Sequence, residues 1–426
     1  MNDTMQALRK AAECEKLVLD NGMTVLVKPM PGYRDVHVVC GTRFGSVDRE
    51  FELDGRRCRL PAGVAHFLEH KMFESEEGDA FSQYAAVGAS ANAFTSFDKT
   101  CYLFSTTSGV EQALDILLRL VSRPYFTPET VAKEQGIIGQ EIGMIEDDPD
   151  WKVFTNLMKG LYEHHPIRLS VAGSVESIAR ITPQTLYDCH KAFYDPANMV
   201  LCVAGNQDPE RVCRIAREIL PKTAGPIAQK DYGPQEPEGA FQSLVEERLA
   251  VSGPIFQLGY KGDAPERGEA GLRQQMLGEL ACEVLLGNST PLYARLYQEG
   301  LINRNFSYGY DSVPGCAFLA AGGESRDPEA VRAAVEAEAR RIEAEGVDPG
   351  LWDRVKKGVY GWRVRSLNSF ETLCVNQAQN FFAGREYLRF ADLFADIRKE
   401  DVEALIARWV TPARTSLSVI RPKEVG

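Results

Sequence analysis

The sequence contains few histidines, no paired-cysteine motif and no long apolar run. Its 10 cysteines are scattered and form no C-x-x-C pair, which argues against a thiolate zinc site and indicates buried or reduced thiols in a reducing compartment. No window approaches the run of about 18 apolar residues that a membrane-spanning helix needs. The N-terminal stretch lacks the apolar segment and small-residue cleavage site of a secretory signal. We therefore expect a cytoplasmic protein that does not bind a membrane.

Positive charge is also in short supply. The 426 residues include 48 Lys and Arg against 60 Asp and Glu, a formal net charge of -12. A surface that neutralises phosphates needs the opposite balance, so we expect no nucleic-acid partner. The hydrophobic content of 44% and the charged content of 25% are typical of a folded globular protein, and the length predicts two or more domains.

A Pro/Gly-rich segment at residues 221–239 divides the chain nearly in half. Its four prolines and three glycines interrupt helical and strand periodicity and predict a polar, extended linker. We predict a catalytic half at 1–220, the linker at 221–239 and a homologous, non-catalytic half at 240–426 that helps to form a substrate chamber.

The two halves show the same order of predicted elements. The sequence of the first half predicts a hairpin with its turn at Asn21-Gly22, and then a helix from about Gly63. It also predicts a long helix from Pro128 towards Asp147. Each half also ends in a helix, an aromatic residue, a proline and a closing strand. We therefore predict an α+β fold of two homologous αβ halves, each a mainly antiparallel sheet flanked by helices.

The segment GVAHFLEHKMFE contains His66, Glu69 and His70 in a pattern that predicts a helix. Residues four apart lie one turn above each other, so both imidazoles share a face. An isolated histidine pair is more often a surface or core feature, but only 6 histidines occur in the chain, which favours a metal site. Glu69 can then act as a base beside the metal, as in the H-x-x-E-H signature of inverted zincins.

A catalytic zinc takes a third protein ligand, and the helix after Pro128 offers Glu134 and Glu141. These carboxylates are seven residues apart, which places them on one face two turns from each other. One of them can bind the metal while the other supports a ligand. The alternative is that both are solvated surface residues.

Four segments resemble the pitrilysin, insulysin and mitochondrial processing peptidase family of zinc metallopeptidases. They are HFLEH, the Glu134 to Glu141 helix followed by EDDPDW, ANAFTSFDKTCYLF and HHPIRLSVAGSVESI. The resemblance spans essentially the whole chain and is closest to the bacterial members of about this length.

The resemblance implies a role for each matching residue. It implies one zinc per chain bound by His66, His70 and Glu141, with Glu69 as general base and Glu134 as a supporting acid. It also implies that an edge strand containing Asn92, Ala93, Phe94 and Thr95 binds substrate as an added strand, because a free edge offers unpaired backbone groups to an extended peptide.

The second half departs from the family pattern. Active members carry an arginine followed seven positions later by a tyrosine, whereas Arg295 and Arg304 are followed at that distance by Ile302 and Asp311. Arg304 with Tyr308 or Tyr310 is a possible substitute. The resemblance implies a dimer, and we hypothesise a heterodimer in which a sister chain without the zinc motif supplies the arginine and tyrosine.

The sequence thus predicts a zinc endopeptidase that cleaves short or unfolded peptides inside a chamber. Two alternatives remain open. One is a non-catalytic structural or processing subunit, in which a degenerate metal motif would be expected. The other is a lyase with the same helix motif, although S-ribosylhomocysteine lyases are much shorter, single-domain chains.

Overall fold

The computed structural model describes residues 14–423, so most of the N-terminal stretch behind the cytoplasmic prediction lies outside the described residues. The strands within this range are β1 Glu15–Val18, β2 Thr24–Pro29, β3 Val36–Thr42, β4 Glu50–Leu53, β5 Arg56–Arg59, β6 Glu74–Ser75, β7 Gly78–Asp79, β8 Ser90–Thr95, β9 Thr100–Thr106, β10 Met199–Gly205, β11 Gln229–Asp231, β12 Leu244–Leu249, β13 Ile255–Lys261, β14 Ser307–Val313, β15 Cys316–Glu324 and β16 Thr415–Pro422.

The helices of the described residues carry most of the remaining chain. They are α1 Val64–Met72, α2 Ala80–Ala86, α3 Val110–Ser122, α4 Pro128–Asp147, α5 Pro149–Leu161, α6 Val175–Ile178, α7 Pro183–Phe193, α8 Pro209–Ile219, α9 Gly268–Leu286, α10 Pro291–Gln298, α11 Pro328–Glu345, α12 Pro349–Ser366, α13 Phe370–Phe382, α14 Phe390–Ala395 and α15 Lys399–Trp409. None of them is both long enough and apolar enough to cross a bilayer.

The chain forms two compact units, and their boundaries differ from the linear division predicted at 221–239. Unit 1 contains the described residues up to Ile142, then Ser170–Tyr232 and Val364–Leu388. Unit 2 contains Gly143–Leu169, Gly233–Arg363 and the described residues from Arg389 onward.

Two helices account for most of this difference. Helix α5, from the first half of the sequence, packs on β13 and β16 of unit 2, while α13, from the second half, packs on β3 and β10 of unit 1. The linker region is also partly structured, because β11 pairs with β4. Sequence periodicity shows that these elements exist but not which sheet they cover.

Unit 1 contains a six-stranded sheet in the order β1-β2-β10-β3-β9-β8. All neighbouring pairs are antiparallel except β10 and β2. The hairpin predicted at Asn21-Gly22 is confirmed, since β1 and β2 pair with Glu15 opposite Val27 and Gly22 adopts a positive φ of 85°. Strand β8 ends this sheet, and within residues 14–423 β9 is its one strand partner, so its other edge has no neighbouring strand among these residues.

Unit 2 contains a five-stranded sheet in the order β12-β16-β13-β15-β14. Its one parallel pair, β12 and β16, precedes three antiparallel pairs. This order matches β2-β10-β3-β9-β8 of unit 1 strand for strand, including the position of the parallel pair. The predicted α+β fold with two similar, mainly antiparallel halves is therefore confirmed.

Candidate metal centre

Helix α1 presents His66, Glu69 and His70 over about one turn. Phe67 and Leu68, which lie between these residues in the sequence, are fully buried. Their packing fixes the rotation of the helix about its axis. The helix begins after Gly63, which has a φ of 87°. A Cβ atom on Gly63 would lie 2.3 Å from the carbonyl oxygen of Ala172. Only glycine fits this tight entry into the helix.

Helix α4 brings Glu134 and Glu141 to the two histidines. Its buried residues are Val131, Glu134, Ile138 and Ile142, so Glu134 lies on the buried side of the helix. Glu134 is buried with 7% exposure, whereas the Glu141 side chain retains 38%. The helix bounds predicted from Pro128 to Asp147 are confirmed.

His66, His70 and Glu141 form the one cluster of potential metal ligands among the described residues, with one donor atom from each lying within 4.8 Å of the others. Nε2 of His66 lies 3.5 Å from Oε1 of Glu141, and Nε2 of His70 lies 3.7 Å from Oε2. The two imidazole rings are 4.6 Å apart. Both Nε2 atoms therefore face the same carboxylate.

Glu134 contacts the opposite side of the His70 ring. Its Oε1 lies 3.0 Å from Nδ1 of His70, which fixes the ring and leaves Nε2 directed at Glu141. Burial by itself would lower the pKa of His70, but the hydrogen bond with Glu134 and the nearby carboxylates outweigh it and raise that pKa. Burial lowers the pKa of His66 to about 4, and the neighbouring His70 adds to the effect. His66 is therefore neutral near pH 7, the form in which imidazole binds metals.

Glu69 is 8% exposed and contacts the edge strand. The hydroxyl of Thr95 donates a hydrogen bond of 2.7 Å to Glu69 Oε2. Burial raises the pKa of Glu69, against the opposing effect of this hydrogen bond. Sequence reasoning placed Thr95 among the substrate-binding residues, and the structure adds a contact with Glu69 that sequence spacing could not reveal.

The other residues predicted to bind substrate lie along β8, the end strand of the sheet. Asn92, Ala93 and Phe94 stand opposite Leu103, Tyr102 and Cys101 of β9. Asn92 is exposed, and Ala93 and Phe94 are partly buried. Because α1 packs against β8, this free edge runs beside the helix that carries the histidines.

The donor set fits zinc. Zinc accepts imidazole nitrogen and carboxylate oxygen, and two donors bound tetrahedrally at about 2.1 Å lie about 3.4 Å apart. The observed spacings of 3.5 and 3.7 Å between Nε2 and carboxylate oxygens are close to this value. Three protein donors leave a fourth position open, as in catalytic rather than structural zinc sites.

Two histidine and aspartate features outside this centre are structural. His165 is only 2% exposed. Its Nδ1 accepts the backbone N–H of Ile167, and Nε2 lies 2.9 Å from the carbonyl oxygen of Pro314. Asp148 accepts the backbone N–H groups of Asp150 and Trp151 at the start of α5.

The possible substitutes for the arginine and tyrosine pair lie in and before β14 of unit 2. Arg304 is exposed in the preceding loop, Tyr308 donates its hydroxyl to Glu283 Oε2 at 3.2 Å, and the ring of Tyr310 stacks on Trp409 at 6.1 Å. Both tyrosines therefore have contacts within unit 2.

Comparison with known proteins matches two consecutive parts of the chain to two domains of one peptidase family. The family described as "Insulinase (Peptidase family M16)" matches residues 60–175, and "Peptidase M16 inactive domain" matches residues 180–359. YmfH of Bacillus subtilis, described as an uncharacterized zinc protease, is 36% identical over 411 residues, which cover 95% of this chain and 96% of YmfH.

Solved structures agree with these matches. An M16-like peptidase from Alicyclobacillus acidocaldarius has a TM-score of 0.92 at 31% identity, covering 96% of this chain and 98% of that chain. Pitrilysin shares the fold with a TM-score of 0.74 at 18% identity, covering 96% of this chain and 45% of that chain. The chain therefore belongs to peptidase family M16, the insulinase family.

Proposed function

We propose that this chain is a zinc-dependent endopeptidase that cleaves short or unfolded peptides. The observation that carries the proposal is the convergence of His66, His70 and Glu141 beside the buried Glu69 and a free sheet edge. The zinc-protease description of YmfH supports it. His66, His70 and Glu141 are the proposed ligands of one zinc per chain.

Zinc held by these residues supplies Lewis acidity to a peptide carbonyl and to the attacking water. Glu69 accepts a proton from that water and returns it to the departing amine. Its Oε2 accepts a hydrogen bond from the Thr95 hydroxyl, which orients the carboxylate beside the proposed ligands. Glu134 keeps the His70 ring in place through Nδ1, as carboxylates behind metal-binding histidines commonly do.

Substrate binds along β8 in this proposal. The outer edge of β8, formed by Asn92, Ala93, Phe94 and Thr95, offers backbone groups to an extended peptide, which lengthens the sheet by one strand. The peptide displaces Oδ1 of Asn92, which accepts the N–H of Ala93 at 2.9 Å in the structure. A folded protein rarely exposes such a segment, so the edge favours short or unfolded peptides. Side-chain preference then depends on contacts beyond the backbone.

The test combines metal analysis with hydrolysis of a quenched fluorescent peptide library by the purified chain. We expect about one zinc per chain and metal-dependent cleavage. His70→Ala should lose the metal, while Glu69→Gln should retain it and lose turnover. Near-normal turnover in Glu69→Gln would refute the assigned base.

We also propose that the active form is a heterodimer with a sister chain that supplies the missing arginine and tyrosine. The support is their absence at the expected spacing and the contacts that Tyr308 and Tyr310 already make within unit 2. Full peptidase activity from a homodimer of the purified chain would contradict this proposal. Bound zinc without cleavage, even with the sister chain, would favour another hydrolytic reaction, and no zinc would favour a structural subunit.

A further inference from the structure

Unit 2 contains a counterpart of the metal-binding helix. Helix α9 packs against the end strand β14 as α1 packs against β8, and these strands hold equivalent places in the two sheets. The stretch Glu279-Leu280-Ala281-Cys282-Glu283 has the spacing of HFLEH. Leu280 and Ala281 are fully buried, as Phe67 and Leu68 are in α1. Glu279, Cys282 and Glu283 therefore stand where α1 has His66, Glu69 and His70.

Helix α12 is the counterpart of α4. Each begins with a proline, Pro349 and Pro128. Counted from these prolines, Trp362 stands where α4 carries Glu141. The position of Glu141, the third proposed metal ligand, is thus held in unit 2 by Trp362. This tryptophan is 64% exposed.

The equivalent positions surround a cavity rather than a metal cluster. The cavity has a volume of about 560 Å³, and Glu283, Tyr308, Arg354 and Trp362 are among the residues that line it. The Glu279 carboxylate forms an ion pair with the buried Arg363. Nη2 and Nε of Arg363 lie 2.6 and 3.0 Å from Glu279 Oε2. A carboxylate bound in this way is satisfied by the guanidinium.

Glu283 differs from Glu279 in forming no ion pair with the residues that the structure describes. It is partly buried and accepts one hydrogen bond of 3.2 Å from the Tyr308 hydroxyl. Burial raises the pKa of this carboxyl group, which agrees with a charge that lacks a cation. A partly buried carboxylate beside an open indole face is the combination that attracts an ammonium or guanidinium group.

We propose that this cavity binds the lysine or arginine side chain of a peptide, with Glu283 as the charge partner and Trp362 as the aromatic wall. The inference rests on the proposed peptidase function for the identity of the ligand as a peptide. Arg354 also lines the cavity but is exposed, so water screens its charge more than that of Glu283. The cavity therefore prefers a basic over an acidic side chain.

The test measures binding of two fluorescent peptides that differ only in lysine or norleucine at one position, with full-length chain carrying Glu69→Gln to prevent turnover. We expect the lysine peptide to bind about threefold to fivefold more tightly, as a cation against a carboxylate and an aromatic ring should. Adding Glu283→Gln, which preserves shape, should abolish this advantage, and adding Trp362→Leu should reduce it.

Glu343→Gln is the matched control, because it removes the same charge from an exposed position of unit 2 and should leave the lysine advantage intact. Equal binding of the two peptides, or a lysine advantage that survives Glu283→Gln, would overturn the inference. A preference for glutamate that disappears in Arg354→Gln would overturn it as well. Hydrolysis of the norleucine peptide by the parent chain tests the proposed peptidase separately, so either idea can fail alone.

Discussion

Units 1 and 2 have the same strand order and corresponding helices but place different chemistry on them. Where unit 1 has His66, Glu69 and His70, unit 2 has Glu279, Cys282 and Glu283. In unit 1 the imidazoles of His66 and His70 lie close to Glu141. In unit 2 Arg363 forms an ion pair with Glu279. The comparison shows that the backbone arrangement tolerates either set of side chains, so the chemistry depends on a few residues rather than on the fold.

The two units also stabilise a carboxylate in different ways, buried Glu134 in unit 1 and partly buried Glu236 in unit 2. In unit 1 Glu134 pairs with His70 of the proposed metal centre. In unit 2 Glu236 accepts the backbone N–H groups of residues 163–165 and the ammonium group of Lys261. The first contact positions a ligand, whereas the second ties a loop to the sheet of unit 2.

The largest expected difference between the units lies at Glu69 and its counterpart Cys282. Glu69→Gln removes the proposed base and should lower kcat by about 10²–10⁴-fold with zinc content unchanged. Cys282→Ser should leave hydrolysis of a neutral peptide within about twofold, because a buried residue of α9 takes no part in proton transfer. Steady-state kinetics and metal analysis of both variants measure this difference. Comparable losses of kcat in the two variants would contradict a catalytic role for Glu69 alone.

Glu134→Gln tests whether the support behind His70 matters for metal binding. We expect zinc affinity to fall by about 10- to 100-fold, because the amide holds the imidazole less firmly than the carboxylate does. Competition with a chelator measures the affinity. Glu146→Gln, an exposed position on the same helix, is the control and should bind zinc as the parent does.

Glu236 should make unit 2 sensitive to acid. Its hydrogen bonds with Lys261 and with three backbone N–H groups outweigh burial and lower its pKa from 4.5 to about 2. A lowered pKa in the folded state stabilises the protein above pH 4.5, and this contribution disappears as the pH falls towards 2. The side chain is 10% exposed, and allowing for residual screening we expect a loss on the order of 2 kcal/mol.

Unfolding midpoints in urea between pH 5 and pH 2 would reveal this contribution. Glu236→Gln should be less stable at neutral pH but should lose less stability over this interval than the parent. Glu343→Gln should retain the parental pH dependence. An identical pH dependence in Glu236→Gln would show that the pair of Glu236 and Lys261 contributes nothing to acid sensitivity.

The smallest effect is expected at Thr95, which bridges the edge strand and the proposed base. Thr95→Val removes the hydrogen bond to Glu69 and should lower kcat by about tenfold. Thr95→Ser keeps the hydroxyl and should restore most of it. An increase in KM with unchanged kcat in Thr95→Val would instead assign Thr95 to substrate binding alone.

Local pattern predicted the part of the centre that each helix carries. The four-residue spacing of His66 and His70 and the proline at the start of α4 are confirmed as features of helices with nearly the predicted bounds. The family and the duplicated α+β architecture were also recognised from motifs and element order. In contrast, the exchange of α5 and α13 between the units was missed, because either sheet could have buried their apolar faces.

The sequence by itself therefore determined the helices, the strands and the residue types available for catalysis, since periodicity and capping act over only a few residues. Tertiary structure alone decided that Glu141 faces both Nε2 atoms while Glu134 lies behind His70, and that Thr95 holds Glu69. It also decided that Trp362 and Glu283 line one cavity. These contacts join residues far apart in the chain, and only the packing of helices on the sheets sets the distances between them.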